Sequence, residues 1–510
     1  MQEFVFLPDR KADAQSSFDT LSQTVSGTAR ISMSLQAAAP GRGGFTKSSL
    51  EAANNSIKAS AKSASDDSKE IEIVDFVERT GAVLLSAAEI PSPKQFKSGS
   101  IHPVIYYQPA VAEVRVGRSK LKLSSGPAAT DFLQIKLQFS DTGRPVKNAV
   151  ANLRLVGESE VSAVSDEDGV VTFGIRIPSV SGARLLVEPG FAGHWGFMEA
   201  NATFASGDVV DIERINLTST KDALRYMIAQ GGPADGVGVR VGVVDSGVGP
   251  HTDLPNVDGD EDSSIGHGTH VAGIIAGKGA NSLGGVAPGV DILSYRVFAD
   301  PSTGIARNFE IHRAIEQAVE DGCHLVNLSL KSEFPLAPKQ DDPVISRALE
   351  DAAEAGTLCV AAAGNDFRRF VAFPARHKDA LAVSAVGWEP GMPANAFDRW
   401  TVTDDRSTVD SDIFFANFSN EGVDSTRVDL TGPGAGIVST VPGDTYAPMS
   451  GTSMACPAIV GAISRLLSAN PAVLDLPADQ TRTDAFRHLI KQNLVKAGFN
   501  RVRQGGGTLE

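Results

Sequence analysis

With 510 residues and 42% hydrophobic content, the chain has apolar material for two or three packed domains, which excludes an intrinsically disordered protein. Its 61 acidic residues outnumber 46 basic ones, giving a formal charge of -15 at pH 7; with no compensating basic tract, nucleic acid is not an expected partner. No run of ~20 apolar residues occurs, and the first nine residues hold no basic region followed by an apolar core, so neither a membrane partner nor a standard secretory leader is expected. Cys323, Cys359 and Cys456 cannot all pair and sit in apolar segments, as reduced, packed thiols of a cytoplasmic protein would.

Residues 1–126 form the first region, expected to be α+β. Residues 3–7 read as a strand, residues 24–68 as a flexible Ser/Ala/Gly-rich tract, and residues 71–77 and 82–85 as further ordered segments. Residues 127–217 change character. Leu133-Gln134-Ile135-Lys136-Leu137-Gln138-Phe139 alternates apolar and polar as a half-buried strand does, and Asp-Gly and Pro-Gly punctuation marks more short strands. A small antiparallel β-sandwich fits this stretch. From 218 to 510, buried strands alternate with amphipathic helices, the pattern of an α/β domain with a doubly wound parallel sheet. Within it, residues 390–413 are rich in Asp and other polar residues and read as a solvated surface loop near the site.

Four segments of that last domain carry chemistry. The apolar run Val239-Arg240-Val241-Gly242-Val243-Val244 ends in Asp245-Ser246-Gly247, placing an acid at the carboxyl end of a buried strand, where it needs a partner. Gly266-His267-Gly268-Thr269-His270 opens a helix, and histidine suits a general base because its pKa lies near neutrality. Leu358-Cys359-Val360-Ala361-Ala362-Ala363 is a strand leading into Gly364-Asn365-Asp366. Gly451-Thr452-Ser453-Met454-Ala455-Cys456-Pro457 puts Ser453 at the start of a helix whose Ile459, Val460, Ile463 and Leu467 share a face; unpaired N–H groups and the helix dipole there favour negative charge on an attacked substrate.

In this order the motifs resemble the subtilisin-like serine proteases, the subtilase family, whose triad order is itself a worked case of convergent serine catalysis. The resemblance implies a subtilisin-like catalytic domain that cleaves protein or peptide substrates. It makes Ser453 the nucleophile, His267 the base, Asp245 the residue orienting it and Asn365 an oxyanion donor, with His270 packed in the helix. It also puts residues 1–126, alone or with the sandwich, where the family carries an intramolecular pro-domain of a self-processing zymogen; the equal alternative for this region is a permanently attached recognition or regulatory module. The alternative is a catalytically silent protease-fold module that recognises a partner through the sandwich. Where many family members read Ser-Leu-Gly-Gly in the substrate-binding strand, this chain has Ser329, Leu330, Lys331 and Ser332, and the lysine suggests a taste for acidic substrate residues. No cofactor is required by this chemistry. Asp253 matches a position where family members hold Ca2+; one carboxylate makes no calcium cage, so Ca2+ is an open expectation, and His267 with His270 lack the glutamate of a zinc helix, so no metal ligands are assigned.

Overall fold

The computed structural model describes residues 2–8, 71–76, 82–87, 99–110, 132–155, 160–189, 193–229 and, apart from short gaps at 230, 233, 256, 263–264, 280–282, 334–335 and 338–339, 231–510. The tract at 24–68 lies outside these residues, as does any helix of the first region.

Four N-terminal strands form one antiparallel sheet in the order Ile71–Phe76, Val83–Ala87, Gln2–Pro8, Gly99–Pro103. Its apolar face places Val5, Leu7, Ala82 and Leu84 against Phe309 and Val344, so the sheet rests on the helices Asn308–Glu320 and Pro343–Glu354 of the last domain. At the rim Arg307 donates to Glu3 over 2.8 Å, and Arg313 pairs with Asp75. The chain then leaves this sheet as a short strand, Tyr106–Pro109, that pairs antiparallel with both Ala306–Arg307 and Leu330–Ser332.

The sandwich consists of a four-stranded sheet, Phe197–Ala205, Ser179–Val187, Val150–Arg154, Glu160–Val164, and a three-stranded one, Asp208–Ile212, Gln134–Phe139, Val170–Thr172. Ile135, Leu137, Leu153, Phe173, Leu185 and Ile212 are fully buried between them. Gln134–Phe139 buries Ile135 and Leu137 and exposes Gln134 and Lys136, as its alternation dictates. One pair, Asp208–Ile212 with Gln134–Phe139, is parallel, so the sandwich is not purely antiparallel.

The large sheet runs Val257–Gly259, Asp291–Arg296, Arg240–Asp245, Leu325–Leu328, Leu358–Ala362, Ala380–Trp388, with Ile413–Phe415 and Leu430–Pro433 both on the last of these. All its pairings are parallel except that of Ile413–Phe415. Helices His267–Ala276 and Thr452–Ser468 bury Val271, Ile274, Ile459, Val460 and Ile463 on one face, while Asn308–Glu320 and Pro343–Glu354 bury Ile311, Ile315, Ile345 and Leu349 on the other. From Arg240–Asp245 the chain turns to one side of the sheet and then to the other, so Asp245 ends a strand at the switch point, where open α/β sheets place their sites.

Residues 390–413 are not a solvated loop. Met198 N donates to Asn395 O over 2.9 Å and Phe397 N to Gly196 O over 2.8 Å, docking the segment on the sandwich. Asp398 is 3% exposed and accepts the Ser450 hydroxyl at 2.5 Å. The polar composition is consumed internally, Arg399 and Arg406 both pairing with Glu389, which is why a sequence rich in charge packs here. Phe373-Pro374 is a cis peptide bond. All three cysteines are buried and unpaired. No helix among the described residues is long and apolar enough to cross a membrane.

Candidate active site

Asp245 is fully buried, and its Oδ1 accepts hydrogen bonds from Ser246 N and from His267 Nδ1, each at 2.7 Å. A carboxylate removed from water needs such partners. With Nδ1 bonded to Asp245, the other ring nitrogen, His267 Nε2, is buried with no hydrogen-bond partner among the described residues. The ring can stand this close because the helix starts on glycines. Gly266 caps it at φ 79°, and a Cβ on Gly268 would fall 2.2 Å from Gly247 O. Ser246 Oγ accepts the Gly268 N–H at 2.9 Å, while Asp262 takes Gly266 N and Thr269 Oγ1. His270 donates from Nε2 to the Ile437 and Ala447 carbonyls at 3.0 Å, and burial pushes its pKa down to about 3. It is a neutral packed residue, as expected.

Ser453 is buried in the first turn of Thr452–Ser468. Its N–H donates over 3.1 Å to the carbonyl oxygen of Ala110, and the Asn365 side-chain amide donates to that same oxygen. Asn365 is aimed by Thr452, whose N–H and hydroxyl both donate to Asn365 Oδ1, at 2.9 and 2.8 Å. Ser329 completes the grip. Its carbonyl accepts the Ala110 N–H at 3.1 Å and the Ser453 hydroxyl at 2.9 Å, and its own hydroxyl donates to Ser453 O. With that hydroxyl turned to Ser329, the serine and His267 are not hydrogen-bonded in this arrangement.

Upstream of Ala110 the chain lies as an extra strand, Pro109 opposite Leu330, Gln108 opposite Lys331 and Tyr107 opposite Ser332. Lys331 is not free for an acidic substrate residue, contrary to expectation: it is 6% exposed and its Nζ pairs with Asp366 Oδ1 at 3.0 Å. Asn420 holds the other Asp366 oxygen at 2.9 Å. This pair joins the two segments that grip Ala110, and it lines a small recess with Ser332, Phe370 and Ala372. Three residues before Ala110, the Tyr107 ring is fully buried in the apolar cluster containing Phe298, Leu330 and Ile345, and its hydroxyl donates to Asp342 Oδ2 at 2.9 Å.

Asp253 is buried and accepts the Tyr446 hydroxyl at 2.6 Å. Among the described residues it belongs to no group of three or more His, Cys, Asp or Glu side chains placed to share a metal ion.

The sequence of residues 236–507 matches the profile of the subtilase family. The chain is 34% identical over 275 residues to subtilisin Savinase of Lederbergia lenta, covering 52% of this chain and 89% of that protein. It is 35% identical over 260 residues to alkaline elastase YaB of a Bacillus species, covering 48% of this chain and 58% of that one. Among solved structures, the prenylagaramide maturation protease PagA aligns at 26% identity and a TM-score of 0.44, over 56% of this chain and 96% of its own.

The structure joins Asp245 to His267, and it brings Ser453, Asn365 and Ser329–Ser332 together around the segment that ends at Ala110. Sequence reasoning missed Ala110, Tyr107, Asp262, Asp342 and Asp366. A signal for Asp342 was present: Asp-Pro before Val344-Ile345 opens a helix, and Asp342 caps it by accepting Val344 N at 2.9 Å. Burial raises the Asp342 pKa from 3.8 to about 6. Because the folded-state value is the higher one, the stability it contributes is full below about pH 4 and lost as pH rises through about 6, at most ~3 kcal/mol. The melting temperature of wild type minus that of Asp342→Asn, followed by calorimetry on the full chain, should therefore fall across this window and level off above it.

Proposed function

The chain belongs to the subtilase family of serine endopeptidases, and we propose that Ser453, His267, Asp245 and Asn365 carry its reaction and that residues up to Ala110 are an intramolecular pro-domain cut off by this site. The observation that carries this reading is the Ala110 carbonyl oxygen, which receives both the Ser453 N–H and the Asn365 amide. That is the arrangement an attacked carbonyl requires, since donors already in place stabilise the oxyanion without reorganising. In the proposed sequence the Ser453 hydroxyl turns from Ser329 O to His267 Nε2, gives up its proton and attacks the Ala110 carbonyl carbon. His267, held by Asp245, passes the proton to the leaving amine of Val111, and water then resolves the acyl-enzyme by the reverse relay. No cofactor enters these steps.

The sandwich, which follows the cut, stays with the enzyme in this account. Its docking through residues 395–398 to Ser450, three residues from the nucleophile, supports a permanent attachment. Ser329–Ser332 binds the substrate backbone as an added strand, and the alanine that this strand presents to Ser453 makes a small residue the preferred one before the cut.

A fluorophosphonate probe is expected to label the incubated wild-type protein at Ser453 and to leave Ser453→Ala unlabelled; an unlabelled wild type would point instead to the silent binding module. Asn365→Ala should retain labelling yet lose roughly 100- to 1,000-fold in kcat on a peptide substrate. A peptide library read by mass spectrometry should show Ala, Ser or Gly enriched immediately before the cut, without enrichment of acidic residues.

A further inference from the structure

The Tyr107 side chain occupies a pocket whose inner end is polar in a way the reaction at Ser453 does not need. Its ring sits among apolar side chains, and its hydroxyl meets a fully buried carboxylate, Asp342, at 2.9 Å. Asp342 Oδ2 also takes the Asn308 amide at 3.1 Å, and Asp342 Oδ1 takes Val344 N at 2.9 Å. Asn308 is itself fixed: its N–H donates to Ile105 O at 2.8 Å and its amide to Pro103 O at 3.2 Å. The carboxylate therefore has a set place, and one of its donors is supplied by whatever fills the pocket.

We infer that Asp342, held by Asn308, is a specificity residue that makes this peptidase select a tyrosine four residues back from the cut, with Tyr107-Gln108-Pro109-Ala110 as the chain's own copy of the preferred substrate. The inference rests on the reading that the site cleaves after Ala110. Its physical basis is the asymmetry of a buried polar group. A phenylalanine would fill the apolar part of the pocket equally well but leave Asp342 desolvated and short of a donor, and sites built around a hydroxyl discriminate strongly against analogues lacking it. The selected partner class is then an extended peptide reading Tyr-x-x-small, and it applies to substrates in trans as to the N-terminal segment in cis.

The test is a double-mutant cycle on the full chain, following conversion of the intact protein by mass spectrometry. Tyr107→Phe and Asp342→Ser are each expected to slow cleavage about 10- to 100-fold, serine being able to cap the helix but too short to reach the tyrosine hydroxyl. The double variant should be no slower than the slower single one, and Asp342→Asn, which keeps an acceptor in place, should recover part of the rate. On the converted wild-type protein, a Tyr-Gln-Pro-Ala peptide should be cut about 10- to 100-fold faster than its Phe-Gln-Pro-Ala counterpart. Tyr107→Phe processing at the wild-type rate, or single effects that multiply in the double variant, overturns this inference alone. A wild-type chain that stays intact overturns the self-processing reading and this inference with it.

Discussion

One oxygen atom organises the molecule. The Ala110 carbonyl is held by two donors from distant regions of the chain, the Ser453 N–H at a helix start and the Asn365 amide at the end of a strand. For them to converge, Leu358–Ala362 must lie in the sheet directly against Thr452–Ser468, and the small residues Ala362, Ala455 and Ala458, buried in one cluster, allow that approach. Thr452 then locks the pair, since its hydroxyl and N–H both hold Asn365 Oδ1, and Gly364 N donates to the same hydroxyl at 3.1 Å. Preorganisation of this kind puts the cost of ordering the site into folding, not into each catalytic cycle.

The same constraint explains why the N-terminal segment is held so firmly. Helices Asn308–Glu320 and Pro343–Glu354 carry the N-terminal sheet through Phe309 and Val344, and at their starts Asp342 accepts the Tyr107 hydroxyl while Asn308 holds Asp342. The sheet and the cleft strand are thus anchored on one pair of helices, one by apolar burial and one by hydrogen bonds to backbone and carboxylate. A segment fixed at both ends presents Ala110 in one register. In the proposed account the segment is at once an aid to assembling the cleft, its first substrate and its inhibitor, because it occupies the positions any other substrate needs.

The catalytic half was readable because its chemistry is local in sequence. Asp245, His267 and Ser453 each sit within a short motif whose glycines are demanded by close packing, such as Gly268 against Gly247 O, and the apolar strands and helix faces that bury them follow periods of two and 3.6. Residues 390–413 misled because charge usually means solvent, whereas Asp398 and Glu389 are satisfied by Ser450 and two arginines. Lys331 misled for a different reason: its counter-charge, Asp366, is 35 residues away in the chain and adjacent only in space. Tyr107 and Ala110 carried no periodic signal at all. A four-residue strand acquires its meaning from the edge it joins, and Leu330–Ser332 lies more than 200 residues downstream.

The central claim is that Ala110 lies where a bond is broken. Incubating the purified wild-type and Ser453→Ala chains and sequencing the carboxyl terminus of any released N-terminal fragment measures this directly. The account predicts a fragment ending at Ala110 from wild type and an intact Ser453→Ala chain. A fragment ending elsewhere, or one released equally from Ser453→Ala, would contradict it.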